Sequence, residues 1–171
     1  IMETVLQKFN ELSQTPSDIN EHLVNLKKYA EECEHITEMG VRWCVSSYAF
    51  LASNPKKMIS YDYKTHPNVK ILIEDAKKSN IDFTYIEANT RKIEIEETDF
   101  LFLDTEHSYE QVKIELLLHA NKVRKYIAFH DTVSFKNQIG PAIEEWVNSS
   151  NEWELEVHYP NNNGVTIYKR K

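Results

Sequence analysis

The stretch Asp99-Phe-Leu-Phe-Leu-Asp104-Thr-Glu-His107 decides the fold of this 171-residue chain. A second stretch of the same kind, Tyr126-Ile-Ala-Phe-His130-Asp131, follows after a segment with helical spacing. A short apolar run that is bounded by polar residues and adjoins a helix is typical of a buried parallel strand. Ligands of an open α/β sheet bind beyond the carboxyl ends of its strands. We therefore expect the polar residues that end both stretches to share one functional edge.

Apolar runs and helical segments alternate on both sides of this pair. The other β-like runs lie at residues 35–39, 57–61, 82–86 and 153–157, and a last one at 165–168 follows an Asn-Asn-Asn-Gly turn. Such a turn between two alternating runs predicts an antiparallel hairpin. Together the runs predict an α/β fold with a doubly wound, mostly parallel sheet of seven strands, an antiparallel C-terminal hairpin and helices on both faces.

The helix between the two opening stretches has a recognisable start. Ser108 and Gln111, three residues apart, form a capping box, a pattern in which side chains bind backbone amides of the first helical turn. The box predicts a helix at about 108–121 and places His107 in the turn between strand and helix. Another helix is expected at about 138–149.

A helical pattern precedes the first strand. The spacing of its apolar residues predicts helices at 2–13 and 17–33, and Ser17 is placed to cap the second. The length of the chain fits one domain. We therefore expect a single domain at 1–171, with a helical extension at 1–34 and a core at 35–171.

The composition argues against some classes of partner. A net charge of −7 disfavours a broad contact with nucleic acid, which needs a basic surface, but leaves room for a small nucleotide-containing ligand. Cys33 and Cys44 are too few for a disulfide framework and favour a reducing compartment. No apolar stretch is long enough to cross a bilayer, and no signal-peptide pattern is present. We expect a cytoplasmic protein that binds neither nucleic acid nor membranes, with a homodimer left open.

Gly40 and Asp62 follow the first two predicted strands and indicate a ligand pocket. A glycine at a strand end lets the backbone turn tightly and approach a ligand, and the helix that follows can offer its amides to an anion. Asp62 is placed to accept hydrogen bonds from a ribose diol. The full dinucleotide motif G-x-G-x-x-G is missing, so the pattern does not favour a pyrophosphate ligand.

Five successive strand ends carry polar residues in a definite order. They read Glu38-x-Gly40, Asp62, Asn89, Asp104-x-x-His107-x-Tyr109 and Phe129-His130-Asp131. This ordered set resembles the class I S-adenosylmethionine-dependent methyltransferases. Within them it is most similar to the small group of cephalosporin-hydroxylase-like enzymes and sugar or macrolide O-methyltransferases. The resemblance spans residues 35–171 and implies a Rossmann-like sheet, S-adenosyl-L-methionine as the cofactor and transfer of a methyl group.

The resemblance also implies cofactor contacts for residues of this sequence. It places Glu38 and Gly40 along the methionine part of the cofactor, and Asp62 at the ribose hydroxyls. It places Ala88 and Asn89 near the adenine. The complete set of candidate cofactor-binding residues is Glu38, Gly40, Ser46, Asp62, Ala88, Asn89 and Asp104.

The chemistry expected at the second edge follows from the acceptor. A hydroxyl is a poor nucleophile, and a divalent cation can activate it by coordinating the oxygen and lowering its pKa. Asp104 and Asp131 are the expected metal ligands, and His130 is a third candidate. Oxygen ligands suit Mg²⁺, whereas an imidazole shifts the preference toward ions such as Mn²⁺. His107, whose residue type titrates near neutral pH, is the expected general base, and Asp104 is the alternative.

We therefore expect an S-adenosylmethionine-dependent O-methyltransferase that acts on a hydroxyl of a sugar, a glycan or another small molecule, assisted by Mg²⁺ or Mn²⁺. Three alternatives stay open: a metal-independent methyltransferase in which His107 or Asp104 alone is the base, a non-catalytic cofactor-binding module, and a metal-dependent hydrolase. Cys44 keeps the binding module open, because many relatives have a second glycine at its position. The remaining histidines are expected on the surface or on helix faces: His22, His35, His66, His119 and His158.

Overall fold

A computed structural model of the protein describes residues 2–171 as one seven-stranded sheet with six α-helices. The strands are β1 (His35–Met39), β2 (Lys57–Asp62), β3 (Asp82–Glu87), β4 (Thr98–Leu103), β5 (Val123–His130), β6 (Trp153–Tyr159) and β7 (Val165–Arg170). The helices are α1 (Glu3–Gln14), α2 (Leu23–Ala30), α3 (Val45–Ala52), α4 (Val69–Lys78), α5 (Tyr109–His119) and α6 (Lys136–Asn148). Short 3-10 helices lie at Asn20–His22, Thr90–Lys92 and Ala120–Lys122. None of the helices described over residues 2–171 has the length and apolar character needed to cross a membrane.

The strand order of the sheet is β3-β2-β1-β4-β5-β7-β6. Strands β1 to β5 pair in parallel, whereas β7 runs antiparallel to both β5 and β6. The predicted fold, with its C-terminal hairpin and helices on both faces, is confirmed. The direction of winding reverses between β1 and β4, so the connections that leave these two strands diverge and open a crevice at their carboxyl ends.

The core lies on both faces of the sheet, because alternate side chains of each strand point in opposite directions. In β4, Phe100 and Phe102 belong to the cluster that contains α1 to α4, whereas Leu101 and Leu103 belong to the cluster that contains α5 and α6. All four side chains are almost completely buried. Burial of one such side chain stabilises a fold by about 1.5–3 kcal/mol. The strand that carries Asp104 at its end is therefore firmly anchored.

The N-terminal helices pack in the same core as the sheet. Val5 of α1 and Leu23 of α2 are fully buried in the cluster on one face. The second helix differs from its prediction, because the 3-10 helix at Asn20–His22 precedes a shorter α2. The predicted cap is present: the Ser17 hydroxyl oxygen accepts a hydrogen bond from the Asn20 amide at 2.9 Å.

Two of the histidines that were expected on the surface or on helix faces are buried instead. His22 and His119 are 1% and 0% exposed. Nε2 of His22 lies 2.8 Å from the carbonyl oxygen of Asn161, and Nε2 of His119 lies 2.6 Å from that of Thr90. Each ring exchanges its contact with water for a hydrogen bond to a backbone carbonyl that is distant in sequence. The spacing of residues along the chain does not reveal such partners.

Candidate active site

The carboxyl ends of the five parallel strands surround a cavity of about 1010 Å³. Its wall consists of the connections that follow β1 to β5, together with Asp18 and Ile19 from the segment between α1 and α2. Both predicted edges open into this one space. The β1–β3 side carries Gly40, Ser46, Asp62, Ala88 and Asn89, and the β4–β5 side carries Asp104, His107 and Asp131.

Gly40 is required where the chain leaves β1. Its φ is +92°, and a Cβ atom there would lie 2.0 Å from the carbonyl oxygen of Asp104. The glycine therefore allows the connection after β1 to pass directly against the end of β4. Cys44, at the position of the second glycine expected from the resemblance, also has a positive φ of 70°. The cysteine keeps the left-handed conformation of a glycine, at a cost of about 1–2 kcal/mol.

Asp62 joins the connections that follow β1 and β2. Its Oδ2 accepts hydrogen bonds from the backbone amides of Val41 (2.8 Å) and Arg42 (2.9 Å). Among residues 2–171, its Oδ1 has only a long contact of 3.5 Å with the Lys64 amide. One carboxylate oxygen thus holds the turn after Gly40, and the other remains available to a ligand in the cavity.

Glu38 is fully buried behind the cavity wall. Its carboxylate accepts hydrogen bonds from the hydroxyls of Ser46 (2.6 Å), Ser47 (2.7 Å) and Ser60 (2.8 Å). Burial raises the pKa of Glu38 to about 7, although the three hydroxyls act in the opposite direction. Because Ser46 lines the cavity, the Glu38 carboxylate supports the cavity wall through Ser46 at the start of α3.

Glu38→Gln is expected to make the stability of the protein less dependent on pH. The pKa of Glu38 rises from 4.5 to about 7 on folding, so the folded state binds the extra proton between these values and stability falls as the pH rises through them. Between pH 4.5 and pH 8 the free energy of unfolding of the wild type is expected to fall by roughly 3 kcal/mol for this reason. The amide of Glu38→Gln does not ionise, so the variant lacks this decrease. Urea unfolding at pH 5 and pH 8 measures the difference, with Glu97→Gln at an exposed position as the control. Equal losses in the wild type and Glu38→Gln would contradict the prediction.

The polar residues of the β4–β5 side form one connected cluster. His107 Nε2 lies 2.6 Å from Oδ2 of Asp131 and 3.3 Å from Oδ1 of Asp104. His130 Nδ1 lies 3.1 Å from the same Asp131 oxygen and 3.3 Å from Oδ2 of Asp104. The other nitrogen of His130 is 3.0 Å from the carbonyl oxygen of Asp18. The structure thus brings together the four side chains predicted for this edge.

The cluster changes the titration of its members. Burial alone would lower the pKa values of His107 and His130, but the hydrogen bonds and charges of Asp104 and Asp131 outweigh it and raise them to about 9 and about 10. Burial alone would raise the pKa of Asp131, but the two imidazoles hold it well below its usual range. Both histidines therefore retain their second proton at neutral pH.

Asp104, His107 and Asp131 form a group that suits a divalent cation. One ligand atom from each lies within 4.8 Å of the other two. Two carboxylates and one imidazole fit ions such as Mn²⁺, and the oxygen donors also fit Mg²⁺. The imidazole of this group is His107, which the sequence pattern predicted as the base. His130, the predicted third ligand, places Nδ1 3.1 Å and 3.3 Å from oxygens of the same two carboxylates.

The turn that carries His107 is fixed from two sides. The ring stacks on Phe135 with centroids 4.2 Å apart and planes 20° from parallel. Half of the predicted capping box of α5 is present, because the Ser108 hydroxyl oxygen accepts a hydrogen bond from the Gln111 backbone amide at 3.2 Å. The Gln111 side chain does not return to the Ser108 amide and donates to Glu115 and Thr90 instead. Asp131 has a φ of +65°, a conformation that aspartate tolerates and that often marks functional sites.

No family model and no curated protein matches this sequence. Solved structures do match. The S-adenosylhomocysteine-bound methyltransferase of Podospora anserina is 13% identical, with a TM-score of 0.65 over 100% of this chain and 89% of the other. The O-methyltransferase of Bacillus cereus, in complex with S-adenosylhomocysteine, is 12% identical, with a TM-score of 0.66 over 99% and 90% of the two chains. The chain has the class I methyltransferase fold.

This methyltransferase fold serves more than one acceptor atom. The 1,6-didemethyltoxoflavin-N1-methyltransferase of Burkholderia thailandensis is 8% identical to the chain, with a TM-score of 0.67 over 91% of this chain and 79% of the other. An O-methyltransferase and an N-methyltransferase are therefore about equally similar to it. The fold therefore does not determine which atom is methylated; this depends on the residues of the site.

Within the methyltransferase fold, the sequence pattern missed a set of polar residues between the connections after β3 and β4. Thr90, Thr105 and Gln111 line the cavity, and each donates a hydrogen bond to the buried carboxylate of Glu115. Their only signal in the sequence is the i, i+4 spacing of Gln111 and Glu115 on α5, which places both side chains on one face.

Proposed function

We propose that the chain is an S-adenosylmethionine-dependent O-methyltransferase that methylates a hydroxyl of a sugar, a glycan or another small molecule, assisted by a divalent cation. One observation carries the proposal. The cluster of Asp104, His107 and Asp131 opens into the same cavity as Asp62 and Asn89, in a methyltransferase fold. A site for the methyl donor thus adjoins side chains that can activate an acceptor.

The β1–β3 side supports the donor half of the proposal. The available Oδ1 of Asp62 is an acceptor for the ribose diol, and Ala88 and Asn89 offer a wall for the adenine. A cavity of about 1010 Å³ is at the upper end of the range for small-molecule sites. It therefore has room for the cofactor and for part of an acceptor.

The β4–β5 side supports the chemical step. In methyl transfer the acceptor oxygen forms a bond to the methyl carbon as the carbon–sulfur bond breaks, and the sulfur keeps the bonding electrons. The hydroxyl proton must pass to a base. Nε2 of His107 carries the hydrogen of its 2.6 Å contact with Oδ2 of Asp131, so the neutral ring can accept the proton at Nδ1, and Asp131 stabilises the imidazolium that results.

A divalent cation fits the same residues. Asp104, His107 and Asp131 would hold it, and when bound it would lower the pKa of the acceptor hydroxyl by its positive charge. His107 would then be a ligand instead of the base. The 2.6 Å contact between His107 and Asp131 favours a second candidate function, a metal-independent methyltransferase in which this pair alone removes the proton.

The surroundings of the cluster favour an acceptor with several hydroxyls. The exposed residues Asp18 and Glu106 line the cavity close to it, and carboxylate oxygens accept hydrogen bonds from neighbouring hydroxyls. Trp43, which also lines the cavity, is 54% exposed and offers an apolar face on which a sugar ring can pack. Both features support a sugar or glycan acceptor.

Calorimetry and a transfer assay test the proposal. We expect the purified protein to bind S-adenosylhomocysteine, and to transfer a radiolabelled methyl group from S-adenosylmethionine to members of a panel of sugars and polyols. Mn²⁺ or Mg²⁺ should stimulate the reaction and EDTA should reduce it. Transfer that persists in EDTA would support the metal-independent candidate, and failure to bind S-adenosylhomocysteine would contradict both.

Asp62→Ala is expected to weaken the binding of S-adenosylhomocysteine by about 10- to 100-fold. The variant loses the acceptor for the ribose diol and also the acceptor that holds the Val41 and Arg42 amides. Calorimetry measures the affinity, and thermal unfolding verifies the fold. Asp82→Asn, an exposed position at the start of β3 on the opposite edge of the sheet, is the control. An unchanged Kd for Asp62→Ala would refute the ribose assignment.

A further inference from the structure

A buried carboxylate ties together three segments of the cavity wall. Glu115 of α5 is 0% exposed. It accepts hydrogen bonds from the hydroxyl of Thr90 (2.6 Å), the hydroxyl of Thr105 (2.8 Å) and Nε2 of Gln111 (3.1 Å). The three donors follow β3, follow β4 and begin α5, and all of them line the cavity. Glu115 therefore determines the positions of groups that a ligand on this side would meet.

These bonds leave the amide of Gln111 only one orientation. The Glu115 oxygens accept from all three donors, and the Thr90 hydroxyl gives its hydrogen to Glu115, so the Thr90 oxygen is left to accept as well. The amide nitrogen of Gln111 lies 3.1 Å from the carboxylate and 3.3 Å from the Thr90 hydroxyl oxygen. Both amide hydrogens are thus in use. Among residues 2–171, Oε1 of Gln111 has no hydrogen-bond donor, so this residue presents an acceptor to the cavity.

A second contact fixes Thr90 from its backbone side. Nε2 of the fully buried His119 lies 2.6 Å from the Thr90 carbonyl oxygen. A carbonyl accepts only from a protonated nitrogen, so this contact places the His119 hydrogen on Nε2. Glu115 holds the side chain of Thr90 and His119 holds its main chain. Thr90, whose hydroxyl accepts a hydrogen bond from the Gln111 amide, is therefore held in place at both its side chain and its main chain.

We propose that Oε1 of Gln111 recognises the 6-amino group of the cofactor's adenine, and that Glu115 is the positioning residue that fixes the orientation of the Gln111 amide. The inference rests on the proposed function, since it requires an adenosine-containing ligand beside Ala88 and Asn89. The 6-amino group of adenine is a donor and satisfies the Gln111 oxygen. A purine with a carbonyl at that position would place an acceptor against an acceptor, and the site rejects it.

The test compares two ligands that differ only at this position. S-Adenosylhomocysteine and S-inosylhomocysteine, whose base has a carbonyl in place of the 6-amino group, are titrated into the full chain by calorimetry. The wild type is expected to bind the inosine compound roughly 10- to 100-fold more weakly. In Gln111→Leu the two Kd values should converge to within about threefold. Glu115→Gln should reduce the ratio in the same direction, because an amide at position 115 allows Gln111 to turn.

The ratio of the two affinities separates recognition from a structural role. A variant that only loosens the fold weakens both ligands and leaves their ratio unchanged, and Glu97→Gln, exposed and remote from the cavity, should keep the wild-type ratio. Glu115→Gln decides the question if Gln111→Leu does not fold. Equal affinity of the wild type for both ligands, or an undiminished ratio in the folded variants, would overturn the inference while the proposed function stands. Failure of the wild type to bind S-adenosylhomocysteine would overturn the proposed function and this inference with it.

Discussion

Asp104→Asn is expected to lower methyl transfer by roughly two to three orders of magnitude and to remove its response to Mn²⁺. Asp104 touches the rings of both His107 and His130, and it is one of the three side chains that suit a cation. An asparagine has one acceptor and one donor where the carboxylate has two acceptors. Its amide nitrogen would therefore face an imidazole N–H, and the cluster would also lose a negative charge. Transfer rates over a series of Mn²⁺ concentrations measure both effects.

A control variant and an affinity measurement show whether the loss of activity in Asp104→Asn comes from the metal site. Asp82→Asn removes the same charge at the opposite edge of the sheet and should retain both the rate and the response to Mn²⁺. The affinity of Asp104→Asn for S-adenosylhomocysteine separates the metal role from the cofactor role predicted for the same residue. If the variant still responds to Mn²⁺, Asp104 is not a ligand of the cation.

The location of the site could be predicted because strand ends obey local rules. The apolar run of residues 100–103 fills β4 and that of 126–129 lies in β5, and the two strands pair in parallel as neighbours. Their polar ends must then meet at one edge. The Ser108 cap sets where α5 begins, and hence which residue, His107, stays in the turn. Each of these inferences needs only residues that are close in sequence.

The division of roles inside the site could not be predicted in the same way. His107 and His130 both contact Asp104 and Asp131, and these contacts depend on distances across strands that the sequence pattern does not give. The burial of Glu38 among three serines depends on contacts between β1, α3 and β2. The Glu115 network likewise joins segments that are remote in sequence. Polar networks of this kind follow from tertiary packing, which periodicity does not encode.

His107→Ala is expected to lower kcat by about 10²- to 10⁴-fold if His107 is the general base. The variant keeps Asp104 and Asp131 but lacks the ring that donates from Nε2 to the Asp131 carboxylate at 2.6 Å and accepts a proton at Nδ1. His35→Gln, at the other end of the sheet, is the control and should retain full activity. Added imidazole should restore part of the rate to His107→Ala, because it can occupy the space of the missing ring. Steady-state kinetics at saturating S-adenosylmethionine measures both effects.

If His107 is the general base, the kcat of the wild type must increase with pH. Asp104 and Asp131 raise the pKa of His107 to about 9, so at neutral pH most of the protein carries a protonated ring that cannot accept another proton. In EDTA, kcat should therefore rise about tenfold for each pH unit below 9 and level off above it. His107→Ala should lose this slope. A rate that falls as the pH increases toward 9 would exclude His107 as the base.

The same variant distinguishes a base from a metal ligand. If His107 is the base, its removal lowers kcat and leaves the Mn²⁺ concentration for half-maximal stimulation nearly unchanged, because Asp104 and Asp131 still hold the cation. If His107 is a ligand, that concentration rises by roughly 10- to 100-fold. The cluster favours each role by a different contact: the close pair with Asp131 suits a base, and the three-residue group suits a ligand. The two kinetic parameters of one variant therefore decide whether His107 is the base or a metal ligand.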